Sequence, residues 1–443
     1  MRFSELDGAA VGVWGAGREA RSFAAQLARH RPTARITVVA FDARPDPGVL
    51  DALGADQARV AVGAEAATAL AACDVVVRSP GVSIHRPEIR SLRERGVPVT
   101  TATGLWLAER EGRGVIGITG TKGKSTTAAL AHHLARAAGK RAALAGNIGA
   151  PALDLLDGEP AELVVLELSS YQIADLEIGP EVAVVTSLFP EHVDWHGSDR
   201  AYRADKLRIF GLPKVRAAVF NARFPELSRA AAGVERLLPY GEPGGWNADD
   251  AGVSAGGELV VPAAALPLPG AHNALNLCAA LTALGAVGIE PALPEALDGF
   301  KSLPHRLETI GERGGVLWVN DSISTTPEST LAALQSFAGR DIVLLGGGLD
   351  RGQDYALLGR ELAARDAAVV GMPTTGEKIV AAARAAGLPE SRSILAGNME
   401  EAARGARELA SPGSVILLSP AAPSYDHFRD FEERGDLFRS LAR

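Results

Sequence analysis

The run Gly117-Ile118-Thr119-Gly120-Thr121-Lys122-Gly123-Lys124-Ser125-Thr126-Thr127 constrains this chain more than any other stretch. The β-branched Gly114-Val115-Ile116 precedes it, and an Ala/Leu-rich, helix-forming run that closes on Gly139 follows. Strand, glycine loop and helix in that order make a phosphate cradle. Glycines let backbone N–H groups converge on phosphate oxygens, and the helix N-terminus adds its positive dipole. In this reading Gly120, Thr121, Lys122 and Gly123 form the loop and Lys124 reaches the terminal phosphates of ATP. A hydroxyl from Ser125 or Thr126 sits on Mg²⁺. Strict Walker spacing would put the first glycine at Ile118, so the loop is a variant. A Gly-rich turn opening an ordinary helix is the bland alternative, and Gly-Lys-Ser-Thr in this context disfavours it.

At 443 residues the chain has room for roughly two to four domains. Apolar residues make up 47% and fall into alternating strand and Ala-rich helix patterns, which favours an α/β class. A net charge of −8 argues against a general nucleic-acid-binding surface while leaving room for local basic pockets. The two cysteines, Cys73 and Cys278, lie in apolar surroundings, so neither a disulfide framework nor a Cys-based zinc site is indicated. The N-terminus lacks a signal-peptide core and no apolar run is long enough to span a membrane. A cytoplasmic location without membrane insertion is the expectation.

Residues 9–16 read as a strand running into Gly15-Ala16-Gly17-Arg18, then a helix, then the strand Ile36–Phe41 ending at Asp42. That is a βαβ nucleotide-binding opening, although Ala20 replaces the third glycine of a dinucleotide fingerprint. A further strand, Asp74–Arg78, ends on Ser79-Pro80-Gly81, either a ligand loop or a plain turn. The buried strand Leu163–Glu167 ends on a carboxylate followed by Leu168-Ser169-Ser170-Tyr171-Gln172, and Val182–Leu188 leads into Pro190-Glu191-His192-Val193-Asp194. A carboxylate at a strand tip beside a phosphate loop either holds Mg²⁺ or caps a helix. Tyr202-Arg203-Ala204-Asp205-Lys206 opens a helical stretch, where a lysine is ordinarily a solvated surface charge. Residues 241–262 are polar and Gly-rich, suited to hairpins or loops. Strands at 316–319, 342–345, 368–370 and 415–418, with helices between, predict a further parallel α/β domain beyond about residue 302.

Taken in order, the phosphate loop, Gly146-Asn147-Ile148-Gly149, Glu167–Gln172, Pro190–Asp194, Leu303-Pro304-His305-Arg306 and Asn320-Asp321-Ser322 resemble the Mur ligase family. The run Leu418–Phe431 with Arg434-Gly435-Asp436 is similar to its glutamate-adding branch, and the likeness spans nearly the whole chain. The resemblance implies an α/β protein of three domains: a Rossmann-like UDP-binding domain at 1–102, a central P-loop ATPase domain at 103–302 and a C-terminal Rossmann-like domain at 303–443. It implies an ADP-forming amide ligase of peptidoglycan synthesis. The alanyl carboxylate of UDP-N-acetylmuramoyl-L-alanine takes the γ-phosphoryl group, and the glutamate amine then displaces phosphate from that acyl phosphate. Such chemistry is chiefly positioning and charge stabilisation.

By matching position, Lys124, Glu167, His192 and Lys206 carry the catalysis. Ser125, Glu167, His192 and Lys206 hold Mg²⁺, expected as two ions, and Lys206 aligns with the family's carbamylated lysine. Asn276, Arg306 and Asp321 address the adenosine and phosphates. Gly15, Ala16, Gly17, Arg18, Asp42, Arg44, Ser79, Pro80 and Gly81 take the uridine nucleotide, with Asn147 and His192 on the muramoyl-alanine portion. Thr325, Arg351, Ser424 and Phe431 take glutamate. The expected partners are thus small molecules, met by a monomer.

The departures cluster in the amino-acid site. D-glutamate-adding members usually carry a lysine where this chain has Ile323, and another where it has Arg351. Arg grips a carboxylate bidentately, unlike a point-charge Lys. Lys122 replaces a common Asn. Together these changes resemble the variant that adds L-glutamate, whose product a separate epimerase then inverts. The same reaction with D-glutamate is the alternative. An NAD-linked dehydrogenase, a non-catalytic P-loop protein and a folylpolyglutamate synthetase are the other classes, and each leaves part of the motif set unexplained.

Overall fold

The computed structural model describes residues 1–42, 49–189, 193–268, 270–301, 303–337 and 339–442. Arg44 and His192 lie outside them. The chain forms two compact units, Met1–Leu266 with His272–Gly299, and Pro267–Ala271 with Phe300–Arg443.

The first unit holds two parallel sheets. One is built from β1 (Ala10–Trp14), β2 (Arg35–Phe41), β3 (Arg59–Val62), β4 (Val75–Arg78) and β5 (Val99–Thr100) in the order β3-β2-β1-β4-β5. The order reverses between β1 and β4. The carboxyl ends of these two strands therefore border the crevice where open α/β sheets take ligands. The other is built from β6 (Val115–Thr119), β7 (Ala142–Gly146), β8 (Leu163–Glu167), β9 (Val182–Val185), β10 (Ala217–Asn221) and β11 (Arg236–Tyr240), ordered β11-β10-β9-β6-β8-β7. Every residue of β6, β8 and β9 is buried, as expected of parallel strands covered on both faces, so they read as continuous apolar runs. With β6 flanked by β8 and β9, the loop leaving β6 is bordered by both of their tips. The polar stretch after residue 241 forms a small antiparallel sheet of β12 (Trp246–Asp249), β13 (Gly252–Ala255) and β14 (Glu258–Pro262).

The second unit is one sheet of β15 (Glu308–Arg313), β16 (Val316–Asn320), β17 (Ile342–Gly346), β18 (Ala368–Gly371), β19 (Ser393–Leu395) and β20 (Val415–Leu418), ordered β15-β16-β20-β17-β18-β19. Alternation along β17 sends Ile342 and Leu344 into one core and Val343 and Leu345 into the other. The two edge strands escaped the sequence reading. β15 is polar and pairs antiparallel, and β19 is only three residues long. Short or polar edges are how sheets avoid adding strands, and they weaken the apolar signal.

Candidate functional site

The phosphate loop forms as expected, and its shape has identifiable causes. The helix Lys124–Ala137 starts directly from Gly123, which sits at φ +86°. A Cβ there would run into Asn276 Oδ1, and one on Gly120, at φ +150°, into Thr186 Oγ1. Only glycine lets the loop pass this close to its neighbours. The tip of β9 steadies it: Lys122 N donates to Ser187 Oγ at 2.8 Å and Thr186 Oγ1 donates to Lys122 O at 2.6 Å. Thr121 Oγ1 accepts from Phe189 N at 2.9 Å and pairs with Tyr202 Oη at 2.7 Å. Lys124 Nζ folds back on the loop carbonyls of Gly120 and Thr121, at 2.9 and 3.0 Å. Ser125 is buried, Thr126 half-buried, and the Lys122 side chain exposed.

Lys206 is not a solvated surface charge. The helix Asp199–Leu207, capped by Ser198 and starting before the predicted point, buries it to 2% exposure. Its Nζ donates to Gly120 O at 2.9 Å, the same carbonyl that Lys124 uses. Glu167, at the end of β8, is fully buried. Its Oε1 accepts from Asn147 Nδ2 at 2.9 Å, while Oε2 has no hydrogen-bond partner among the described residues. A buried carboxylate oxygen without a donor is costly unless a cation answers it. Beside a phosphate loop with a hydroxyl at the helix start, this donor set fits the Mg²⁺ that accompanies ATP.

At the crevice of the first sheet, the turn after β1 meets the turn after β4. A Cβ on Gly15 (φ +86°) would press on Ser79, and Gly17 N donates to Ser79 Oγ at 3.4 Å. The structure thus brings Gly15, Ala16, Gly17, Ser79, Pro80 and Gly81 together. Asp42, at the end of β2, is exposed and paired with Arg86 Nη1 at 2.6 Å. Arg18 reaches across to the Asn147 loop, donating to Gly146 O, Asn147 O and Gly149 O at 2.8, 2.9 and 3.1 Å. Sequence reasoning missed the bracing behind these turns. Arg78, the last residue of β4, makes a buried two-point ion pair with Asp175 at 2.7 and 2.8 Å. Glu19 is buried against Gln172 and Thr103, and burial raises its carboxyl above the usual range despite these bonds.

In the second unit, Asp321 follows β16 and accepts from Ser324 Oγ at 2.6 Å, Ser419 Oγ at 2.8 Å and Leu307 N at 3.2 Å. Full burial nevertheless pushes its carboxyl up to about 6. Gly347 to Leu349 run along Pro420 to Pro423, just before Ser424, with Gly347 N donating to Pro420 O and Leu349 N to Pro423 O, each at 2.8 Å. Gln353 Nε2 ties the same loop to Thr325 O at 2.9 Å, and Ser322 Oγ donates to Phe431 O at 2.8 Å. Thr325, Ser424, Phe431 and the loop of Arg351 are therefore neighbours, and the Arg351 side chain is exposed. The organiser is Arg434, whose role the sequence reading did not assign. At 1% exposure its guanidinium donates to Ser322 Oγ and O at 3.0 and 2.8 Å and to Ala422 O at 3.1 Å. Lys378, also missed, pairs with Asp350 beside Arg351.

Three known domain families match consecutive parts of this chain. The MurD-like N-terminal domain of Mur ligases matches residues 10–101, the Mur ligase middle domain 118–284, and the Mur ligase glutamate ligase domain 305–422. A protein of Micromonospora sp. named UDP-N-acetylmuramoyl-L-alanine--L-glutamate ligase is 42% identical over all of this chain and 98% of its own length. Proteins of the same name from Salinispora tropica and Xanthomonas oryzae are 42% and 41% identical, covering 99% and 97% of their lengths. Among solved structures, MurF of Thermotoga maritima in complex with ADP has a TM-score of 0.62 at 16% identity, over 100% of this chain and 99% of that one. MurC of the same organism has 0.60 at 20%, over 98% and 99%. With ligase relatives alike from end to end and the three domain families in their order, the chain belongs to the Mur ligase family of ATP-dependent amide ligases.

Proposed function

We propose that this chain joins L-glutamate to UDP-N-acetylmuramoyl-L-alanine through an acyl phosphate, in peptidoglycan precursor synthesis. The observation that carries it is the full-length match to relatives named for that reaction. Lys124 releases the loop carbonyls and turns its ammonium to the β/γ-phosphates, while the loop N–H groups take the remaining oxygens. Glu167 Oε2, Ser125 and carbamylated Lys206 hold Mg²⁺, with His192 as a further ligand. The metal supplies charge neutralisation on the transferring phosphoryl group. Asn147, held by Glu167, stands ready for the muramoyl-alanine carboxylate. The Gly15–Gly17 and Ser79–Gly81 turns, with Asp42, take the uridine nucleotide. Thr325, Arg351, Ser424 and Phe431 take glutamate, and Arg306, Asp321 and Asn276 the adenosine and phosphates. The enzyme works as a monomer of the cytoplasm with domains at 1–102, 103–302 and 303–443, and a separate epimerase acts on its product. Among the described residues no helix is long and apolar enough to cross a membrane.

The stereochemistry follows from which cations remain. With the amine aimed at the acyl phosphate, the α-carboxylate and side-chain carboxylate exchange directions between enantiomers, so each enantiomer needs its cations in different places. Ile323 removes one cation and Arg351 changes another. A lost charged hydrogen bond costs about 1.5–3 kcal/mol, roughly ten- to a hundredfold in affinity. Parallel assays of ADP release and amide formation with each pure enantiomer should show L-glutamate preferred by about that factor. Preference for D-glutamate would overturn the stereochemical part and leave the ligase intact.

A further inference from the structure

Away from the phosphate loop, three metal-ligating side chains meet. His85 Nε2 lies 2.7 Å from Asp205 Oδ2, and His196 Nδ1 lies 2.6 Å from the same oxygen. Among the described residues this is the one group of three His, Cys, Asp or Glu ligand atoms close enough to share an ion. His85 comes from the loop after β4, His196 from the end of the short helix Val193–His196, and Asp205 from the helix that carries Lys206. Adjacent helix residues face different ways, and here Lys206 turns to Gly120 O while Asp205 turns to the two imidazoles.

We propose that His85, His196 and Asp205 form a divalent transition-metal site of the zinc type, separate from the Mg²⁺ centre. Two imidazole nitrogens and one carboxylate oxygen are the donors such ions select, whereas Mg²⁺ takes oxygen ligands. In zinc sites, ligating histidines donate their second N–H to a fixed partner, which sets ring and tautomer. His196 already has one: its Nε2 lies 2.9 Å from Ser170 Oγ, and the ring is buried between Trp195 and Tyr202. His85 packs edge-on against Trp195 and remains 39% exposed, which gives an ion and a water ligand their way in. The metal takes one lone pair from each neutral imidazole, whose N–H then lies on the other ring nitrogen, and Asp205 Oδ2 gives the third pair. With metal–ligand bonds of about 2.0–2.2 Å, a tetrahedral ion needs its donors roughly 3.3 Å apart, so each pair opens by about 0.6 Å. Rotation of the half-exposed His85 side chain opens the first pair, and rotation of the Asp205 carboxylate away from the buried His196 opens the second. Once bound, the ion ties the loop after the Ser79–Gly81 turn to the helix bearing Lys206.

Cobalt(II) is the probe, because four-coordinate Co²⁺ gives an intense visible band and an octahedral oxygen site a weak one. The full chain, stripped with a chelator and kept free of nucleotide, is titrated with Co²⁺ and back-titrated with Zn²⁺. Expected are an intense band saturating at one equivalent, its displacement by Zn²⁺, and its retention in Lys206→Ala. Loss of an outer-shell partner alone costs roughly 10–100-fold in metal affinity, so His85→Ala should weaken binding by at least about 100-fold. Zn²⁺ should raise the melting temperature of the wild type and not of His85→Ala, whose circular dichroism reports its fold. A weak octahedral band, no saturable binding, or a band that survives His85→Ala while vanishing in Lys206→Ala overturns the site.

Discussion

Lys206 and Lys124 share one carbonyl, Gly120 O, so two cations crowd a loop built to receive anions. Carbamylation of Lys206, as proposed, would turn one of them into an anion that the other attracts, near the Glu167 oxygen that has no partner among the described residues. Lys206→Ala should therefore be a weak ligase, partly restored by short-chain carboxylates that take the place of the carbamate. Full activity without them would return Lys206 to a purely structural role. Asp321 gives the second residue-scale expectation. Its carboxyl is raised from 3.8 to about 6 by burial, so the folded state holds its proton longer than the unfolded state. Its contribution is then fully present below about pH 4 and is lost as pH rises through about 6. The difference amounts to roughly 3 kcal/mol. Asp321→Asn should lack this part of the pH dependence, and denaturant unfolding of both proteins at pH 4 and 7 measures it. Parallel curves for the two would refute the assignment.

At the scale of elements, the phosphate loop is held by what glycine omits. Gly120→Ala places a methyl against Thr186 Oγ1 at a backbone angle that side chains rarely adopt, at a cost of about 1–3 kcal/mol. We expect the variant to lose that much stability and to bind ATP more weakly. Gly120→Ala/Thr186→Ala should recover the steric share alone, and full recovery in the double variant would show that the backbone angle is unstrained. This loop, the buried runs of β8 and β9 and the carboxylate at the tip of β8 were legible in the sequence, because each is a local pattern of glycines or continuous apolar residues. The start of the Lys206 helix was not. Its cap, Ser198, lies in a Gly-Ser-Asp stretch that reads equally as a turn.

For the molecule as a whole, the chain divides into two compact units, and Arg434 is buried within the second. Arg434→Met leaves the carbonyls of Ser322 and Ala422 without their donor, at roughly 3 kcal/mol or more. Calorimetry should show one transition lowered by several degrees while that of the first unit stays in place. Equal movement of both transitions would mean that the units unfold together. The motifs of the second unit also acquire their meaning at this scale. Gly435 has no room for a Cβ beside His305 Nδ1, and Asn320 Nδ2 donates both to that nitrogen, at 2.9 Å, and to Gly435 O, at 3.1 Å. Three separated motifs thus form one packed joint.

The sequence by itself determined the α/β class, the phosphate loop, the strand-tip carboxylate and the family, because backbone conformation and strand burial leave short-range marks in residue order. Only the tertiary structure decided that Lys206 is buried, that Glu167 keeps one oxygen without a donor among the described residues, that Arg18 leaves its own turn for the Asn147 loop, and that His85 meets Asp205. Each of these depends on which distant segments pack together. Desolvation and hydrogen-bond pairing are properties of that packing, and no local pattern carries them.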